Sequence, residues 1–270
     1  MTISVIVPLY HGKKYINAII EMMEKNLSTT QLKYKLELIL VNDFPEEIIC
    51  LSDYVHTERL SLVLVCNQQN QGIHYSRVAG LYKASGRYIM FFDQDDRIAD
   101  NYFESQLRSM RGQDVIVSNG AAQYASYEKL LYRYWFMQWT VKHIWFYAKF
   151  DCRIISPGQC LIKKDSIPDI WKDSILVNNG ADDYFLWLLM LSKKCRFGIN
   201  RDRIYTHIYT AENASLDYRK MSRSVNELLE KGDKYILVKY AKIIKERIQK
   251  SSIGDKKAIL VKMIERINRE

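Results

Sequence analysis

The first 120 residues alternate short apolar runs with stretches of helical period. Residues 4–9 form a β-branched run. Residues 13–27 then place Ile16, Ile19, Ile20, Met23 and Leu27 at the three- and four-residue spacing of an amphipathic helix. Strands are expected at 36–41, 61–66, 88–93 and 114–118, with helices at 75–84 and 101–110. Such alternation with short connections predicts right-handed crossovers and an α/β fold, a mostly parallel sheet flanked by helices. Residues 88–92 are apolar throughout, which suits a strand buried on both faces.

After Asn119 the rhythm changes. Residues 124–150 are dense in Tyr, Trp and Phe and read as helical. Residues 156–165 read as a turn entering a strand, and 181–191 as a strongly apolar helix with acids at its start. Two amphipathic helices close the chain. One carries Leu237, Tyr240, Ala241, Ile244 and Ile248 and the other Leu260, Met263, Ile264 and Ile267, with a break at 251–254.

Composition narrows this little. With 270 residues, 48% hydrophobic and only four prolines, the chain can bury a large core and has no room for a long low-complexity linker. The start lacks the zones of a signal peptide, and no stretch reaches the roughly 18 uninterrupted apolar residues of a membrane span. A soluble protein exposed to the cytoplasm is the expectation. Cys50, Cys66, Cys152, Cys160 and Cys195 are odd in number, without a C-x-x-C pair, and are expected as buried reduced thiols. Charge changes the picture more. Residues 231–270 hold 12 Lys or Arg against five acids, so this stretch carries +7 of the net +9.

The chemistry begins where the run Tyr88–Phe92 stops on Asp93, Asp95 and Asp96. Three carboxylates at one strand end repel each other unless a cation neutralises them. Open α/β sheets place ligands at that end of their strands. Oxygen ligands there suit Mg²⁺ or Mn²⁺ with a phosphate-bearing substrate. An acidic turn leading to a helix N-cap is the plainer alternative.

The segment from Asn70 to Asp96, NQGIHYSRVAGLYKASGRYIMFFDQDD, narrows the choice. It resembles the N-x-G-x-x-x-A-R-N-x-G…A-x-G-x-Y-I-x-F-L-D-x-D-D block of the family-two inverting glycosyltransferases. Asn70, Gly72, Arg77, Gly80, Ala84, Gly86, Tyr88, Ile89, Phe91, Asp93, Asp95 and Asp96 fall in register. VIVPLY, the VND strand end and ADDYFLWLLML resemble that family's further motifs, so the likeness runs roughly from Thr2 to Ser215. It implies a GT-A fold, Rossmann-like, over residues 1–220, with a donor half to about 120, an acceptor half to 220, and a basic helical extension over 221–270.

The implied activity is a metal-dependent transfer of a hexosyl or N-acetylhexosaminyl group from a UDP-sugar to a hydroxyl. The acceptor would be a glycan or lipid-linked glycan in bacterial surface polysaccharide synthesis. By this resemblance Asp183 is the general base. Pro8, Tyr10, Asp43, Asn70, Gly72, Arg77, Asp93 and Gln94 form the nucleotide side, and Asp95 with His207 holds Mn²⁺ or Mg²⁺. A carboxylate near a helix N-terminus keeps its charge easily, so Asp183 is expected ionised. Each assignment has a plainer counterpart. Asp43 could cap the helix that follows, Arg77 could pair with an acid, and Asp182 is better suited to capping or support than to catalysis. His11 and His74 read as bystanders.

The chain also departs from the pattern. Asn42, Asp43, Phe44 and Pro45 stand where the family has Asp-Asp-Gly-Ser, which loosens the inference about the base. Val78 follows Arg77 in place of Asn. His207 sits at an unusual spacing from Ser215, with Ala211 near the expected position, so its role as a ligand stays open. The aromatic stretch 124–150 either packs on the sheet or offers an acceptor platform. The basic tail reads as a membrane-surface contact on the inner face, a dimerisation element or a solvated helix. Two rivals remain. A nucleotidyltransferase wants a glycine-rich basic loop after the first strand, where only His11, Gly12, Lys13 and Lys14 stand. A membrane or nucleic-acid binding module leaves the acids unexplained, and nucleic acid is not an expected partner.

Overall fold

β1 (Thr2–Leu9) is buried from Ile3 to Val7 because it lies between two parallel neighbours with helices over both faces. This arrangement comes from a computed structural model that describes residues 1–209 and 218–253. In chain order β1 is followed by α1 (Ile16–Thr29), β2 (Lys35–Asn42), β3 (Leu60–Cys66), α2 (Ile73–Lys83), β4 (Tyr88–Phe91), β5 (Arg97–Ile98) and α3 (Tyr102–Ser109). Next come β6 (Val115–Gln123), β7 (Glu128–Leu130), α4 (Trp135–Trp139), α5 (Ile144–Phe150), β8 (Cys160–Lys163) and α6 (Asp169–Asp173). The last elements are α7 (Asp182–Ser192), β9 (Phe197–Ile208), α8 (Tyr218–Gly232) and α9 (Val238–Ile253).

The sheet runs β3-β2-β1-β4-β8-β6-β9-β5, with β7 beside β6. β3, β2, β1 and β4 are parallel, as the alternation predicts. β8 is antiparallel to both β4 and β6, so the second half is mixed. The period-two rule sorts β1 into two cores. Ile3, Val5, Val7 and Leu9 meet α1 and α3 on one face, while Ile6 meets α2 and the α7 side on the other. Gly80 on α2 lets that helix settle on β1, since a Cβ there would come within 2.4 Å of Ile6 Cγ2.

Several expectations need correcting. Residues 124–150 are not one helix, because β6 runs on to Gln123, β7 returns, and only the short α4 and α5 follow. Helix α9 continues through Ser251 and Ser252, where a break was expected. Helix α8 opens the helical extension expected over 221–270, and Met221, Val225, Leu228 and Leu229 have its period. Leu228 and Ile244 are fully buried, so α8 and α9 pack into the core cluster beside the sheet. All five cysteines are unpaired, but only Cys160 is buried, and Cys50 and Cys66 are exposed. The second tail helix expected around Leu260–Ile267, and the positions Ala211 and Ser215, lie outside the described residues. No described helix is long and apolar enough to cross a membrane.

Candidate active site

A cleft of about 760 Å³ opens at the carboxyl ends of β1, β2 and β4. Pro8, Tyr10, Asp43, Asn70, Gly72, Arg77, Asp93, Gln94, Asp95, Asp183 and His207 all line it. The topology explains the gathering. Parallel neighbours bring the ends of three strands together, and α7 and β9 close the opposite wall.

On the strand-end side many polar groups already hold the backbone. Asp43, 5% exposed, accepts from Asn67 Nδ2 at 2.7 Å, the Gln71 N–H at 2.8 Å and the Gly72 N–H at 2.9 Å. It therefore ties down the loop that enters α2. Asn70 Oδ1 accepts from the Gly72 N–H at 3.1 Å. Gly72 has φ +85°, and a Cβ there would meet Asn179 Oδ1 at 2.6 Å, so this position needs glycine on both counts. The Gln94 amide bonds both the N–H and the carbonyl of Tyr10 at 3.0 Å, clamping the ends of β1 and β4 together. The His11 ring lies 3.9 Å from Phe44 and 4.5 Å from Tyr10. His74 is buried and does not line the cleft. Its Nδ1 accepts from the Leu176 N–H at 2.9 Å and its Nε2 lies 3.1 Å from the Trp171 carbonyl, and burial pushes its pKa down.

Arg77 joins the two walls. Its guanidinium, 3% exposed, donates to Asp93 Oδ1 and Asp182 Oδ2 at 2.6 Å each. Asp93 is further held by Ser156 Oγ at 3.0 Å. Burial works against the charge of Asp182, but the Arg77 guanidinium prevails and holds that carboxyl below its ordinary range. Asp182 opens α7 directly after its N-cap Ala181, and there its carboxylate receives the Arg77 guanidinium.

Asp183 corrects another expectation. Burial, reinforced by the charge of Asp182, pushes its carboxyl up to about 7, despite its place in the first turn of a helix. The desolvation penalty outweighs the helix dipole.

Donor atoms of Asp93, Asp96 and His207 lie within 4.8 Å of one another. Two of these side chains are already engaged. Asp93 holds Arg77 and Ser156. Asp96 accepts from Tyr205 Oη, from the Ile208 N–H at 2.9 Å and from His207 Nδ1 at 3.0 Å. Turning Nδ1 to a carboxylate leaves Nε2 as the imidazole nitrogen for a ligand, the usual support for a metal-binding histidine. Asp95 is raised to about 6, first by burial and then by Asp96 and Asp93. A carboxylate crowded by like charge suits a cation such as Mn²⁺ or Mg²⁺, although the donor atoms that the fold groups within 4.8 Å are those of Asp93, Asp96 and His207 and not of Asp95.

Sequence reasoning missed the support of the far wall. Glu227 on α8 accepts from the Val177 N–H at 2.8 Å, the Asn178 N–H at 2.9 Å and Asn178 Nδ2 at 2.9 Å. Ser224 Oγ donates to the Asn178 carbonyl at 2.6 Å and accepts from the Ala181 N–H at 3.1 Å. This holds the segment leading into Asp182 and Asp183, and nothing local in the sequence announces contacts nearly fifty residues apart. The pairing of Tyr205 and His207 had a visible cue, since residues two apart on a strand share a face.

A family model described as glycosyl transferase family 2 matches residues 4–171. Among curated relatives, the minor teichoic acid biosynthesis protein GgaB of Bacillus subtilis (strain 168) is 37% identical over 107 residues, 38% of this chain and 11% of that protein. An uncharacterized glycosyltransferase of Haemophilus influenzae is 33% identical over 121 residues, 44% of this chain and 46% of the relative. The matches thus span less than half the length of these relatives. The crystal structure of S. aureus TarS 1-349 in complex with UDP superposes with a TM-score of 0.63, covering 95% of this chain and 73% of that one. The UDP-GlcNAc complex of the same protein also gives 0.63, covering 95% and 74%. Identity to both is 15%, a likeness of fold.

Proposed function

The chain belongs to glycosyl transferase family 2, and from that premise we propose that its cleft takes a UDP-sugar and passes the sugar, with inversion, to a hydroxyl of a glycan or lipid-linked glycan. The setting proposed is bacterial surface polysaccharide synthesis at the inner face of the membrane. The related B. subtilis protein named for teichoic acid biosynthesis and the UDP-bound neighbour of like fold support this setting and this donor. The observation that carries the reading is one cleft holding Asp95 at about 6 and Asp183 at about 7 on walls joined by Arg77.

In this reading Asp183 is the general base. A carboxyl poised near 7 is about half ionised at neutral pH, and its ionised form is basic enough to take the acceptor's proton as that oxygen attacks the anomeric carbon. Asp182 remains charged beside Arg77 and keeps Asp183 from losing its proton too early, so the two acids divide the work of support and proton transfer. Asp95 and His207 would hold Mn²⁺ or Mg²⁺, which when bound offsets charge developing on the departing diphosphate. Tyr10, with His11 and Phe44 beside it, offers an aromatic edge for the base. Asp43 and Gly72 set the loop on which the nucleotide would lie. Gln94 serves by clamping the strand ends, and Arg77 by placing Asp93 and Asp182.

Calorimetry with UDP, with and without Mn²⁺, tests the donor side. UDP binds in the presence of metal, and Asp95→Asn abolishes the metal-dependent part. Equal UDP affinity in that variant with metal present overturns the assignment. A panel of nucleotide-sugars assayed for donor hydrolysis then identifies the sugar.

A further inference from the structure

The aromatic residues between β7 and β8 are displayed rather than hidden. Trp135 is 63% exposed, Trp145 44% and Phe150 55%. Trp145 and Phe150 belong to a connected run of rings, and Trp135 lies 6.3 Å from Phe136 on α4. The Trp139 ring lies 6.1 Å from Phe146, which lies 5.0 Å from Trp145 and 6.2 Å from Phe150. Monomeric proteins rarely display such a run of large rings without using it.

Helix α5 packs beside α9, where Arg247 donates to the Tyr147 carbonyl at 3.2 Å. The aromatic helix therefore has a basic neighbour. Lys149 on α5, Lys239 and Lys242 on α9, and Lys234 in the turn before it are all exposed. The nearby acids Asp151 and Asp233 are already paired, with Arg247 and Lys245, and Glu246 is the remaining acid of described α9.

From this juxtaposition we propose that α4, α5 and α9 together form a docking surface for an anionic lipid bilayer. Protein interfaces favour arginine and are depleted in lysine, whereas the exposed cations on α5, on α9 and in the turn before α9 are lysines. Trp and Tyr at the headgroup level, flanked by Lys drawn to anionic lipid, are the signature of a surface that lies on a membrane without crossing it. The patch also adjoins the cleft. Residues 151–154 connect α5 to Ile155, Ser156 and Pro157, which line the cleft, and Ser156 holds Asp93. Docking on this face brings the cleft mouth toward the lipid headgroups. The inference rests on surface chemistry and not on the reaction assigned to the cleft.

The test sediments the full chain with vesicles of phosphatidylglycerol and phosphatidylcholine, and with phosphatidylcholine alone, at low and high salt. Wild type pellets with the anionic vesicles, less so at high salt, and its tryptophan emission shifts to the blue. Trp135→Ser/Trp145→Ser/Phe150→Ser lowers partitioning by about tenfold or more while UDP binding is unchanged. Lys239→Gln and Lys242→Gln each lower it by roughly fivefold and weaken the salt dependence. Should the triple variant not fold, Trp135→Ser alone is read in the same way. Wild type left in the supernatant with anionic vesicles, or a triple variant that binds as well as wild type, overturns the proposal. So does a wild-type dimer that the triple variant converts to monomer with vesicle binding absent in both, which would make the patch a contact between two copies of this chain. Vesicle binding and UDP binding are separate readouts, so failure of one leaves the other reading standing.

Discussion

Replacing Arg77 by methionine keeps most of the stem's volume and removes the charge that joins Asp93 to Asp182. Both ionic contacts are 2.6 Å long and the arginine is 3% exposed, so solvent does little to screen them. Removing one partner of a buried pair costs about 3–5 kcal/mol, because the remaining carboxylate stays desolvated without compensation. Asp93 keeps Ser156, whereas Asp182, buried at 3% exposed, loses its guanidinium. For chains of this size each kcal/mol lowers Tm by roughly 2–4 °C, so the variant should melt roughly 6–20 °C below wild type. The effect also has a pH signature. In wild type the Asp182 carboxyl is held below its ordinary range, so its pairing stabilises the fold above the unfolded pKa of about 3.9. That stability is lost only as pH falls through the depressed folded value. In Arg77→Met, burial acts unopposed and raises Asp182, so lowering the pH relieves the variant. Thermal melts followed by circular dichroism should show the gap widest near about pH 8 and narrowing toward about pH 5. Arg77→Lys recovers only part of the loss, since one ammonium cannot reproduce a guanidinium fork. A gap below about 2 °C, or one constant across this pH range, would refute the reasoning.

Three further outcomes are expected. Asp183→Asn should leave UDP affinity near wild type while transfer falls by about 10²-fold or more. Wild-type transfer should decline as pH drops through about 7, where Asp183 takes up its proton, and rate profiles on an active donor check both. Asp95→Asn should raise the stability of the metal-free protein by roughly 1 kcal/mol near pH 7.5, because a half-buried carboxyl raised to about 6 costs stability above its unfolded pKa and solvent screens part of that cost. Melts in chelator read this gain, which should vanish below about pH 4. Glu227→Ala should cost about 1–3 kcal/mol and speed amide exchange at Val177 and Asn178, whose N–H groups lose their acceptor. Unchanged exchange at those two amides would mean that α8 does not hold the segment.

The parallel half of the sheet and the acids at its strand ends were legible in the sequence, because both rest on local rules. An apolar run between helical periods must be a covered strand, and Asp93 and Asp95 follow the run that ends at Phe92 whatever the rest of the chain does. What the sequence could not decide was which groups would still be available once the chain closed. Arg77 and Asp182 are 105 positions apart, as are the contacts of Asp96 with Tyr205 and His207 within a few places, so only the packing of β4, α7 and β9 could pair them. The same holds for Asp183. Its position in the first turn of α7 is local and favours charge, but its desolvation is a property of the closed cleft and raises it to about 7. The fate of the aromatic stretch was likewise set from outside, since composition alone allows Trp135, Trp145 and Trp171 the same burial. Tertiary packing made Trp171 fully buried and left the other two in water, because the limited space against the sheet was filled by α6, α7 and the helices after β9.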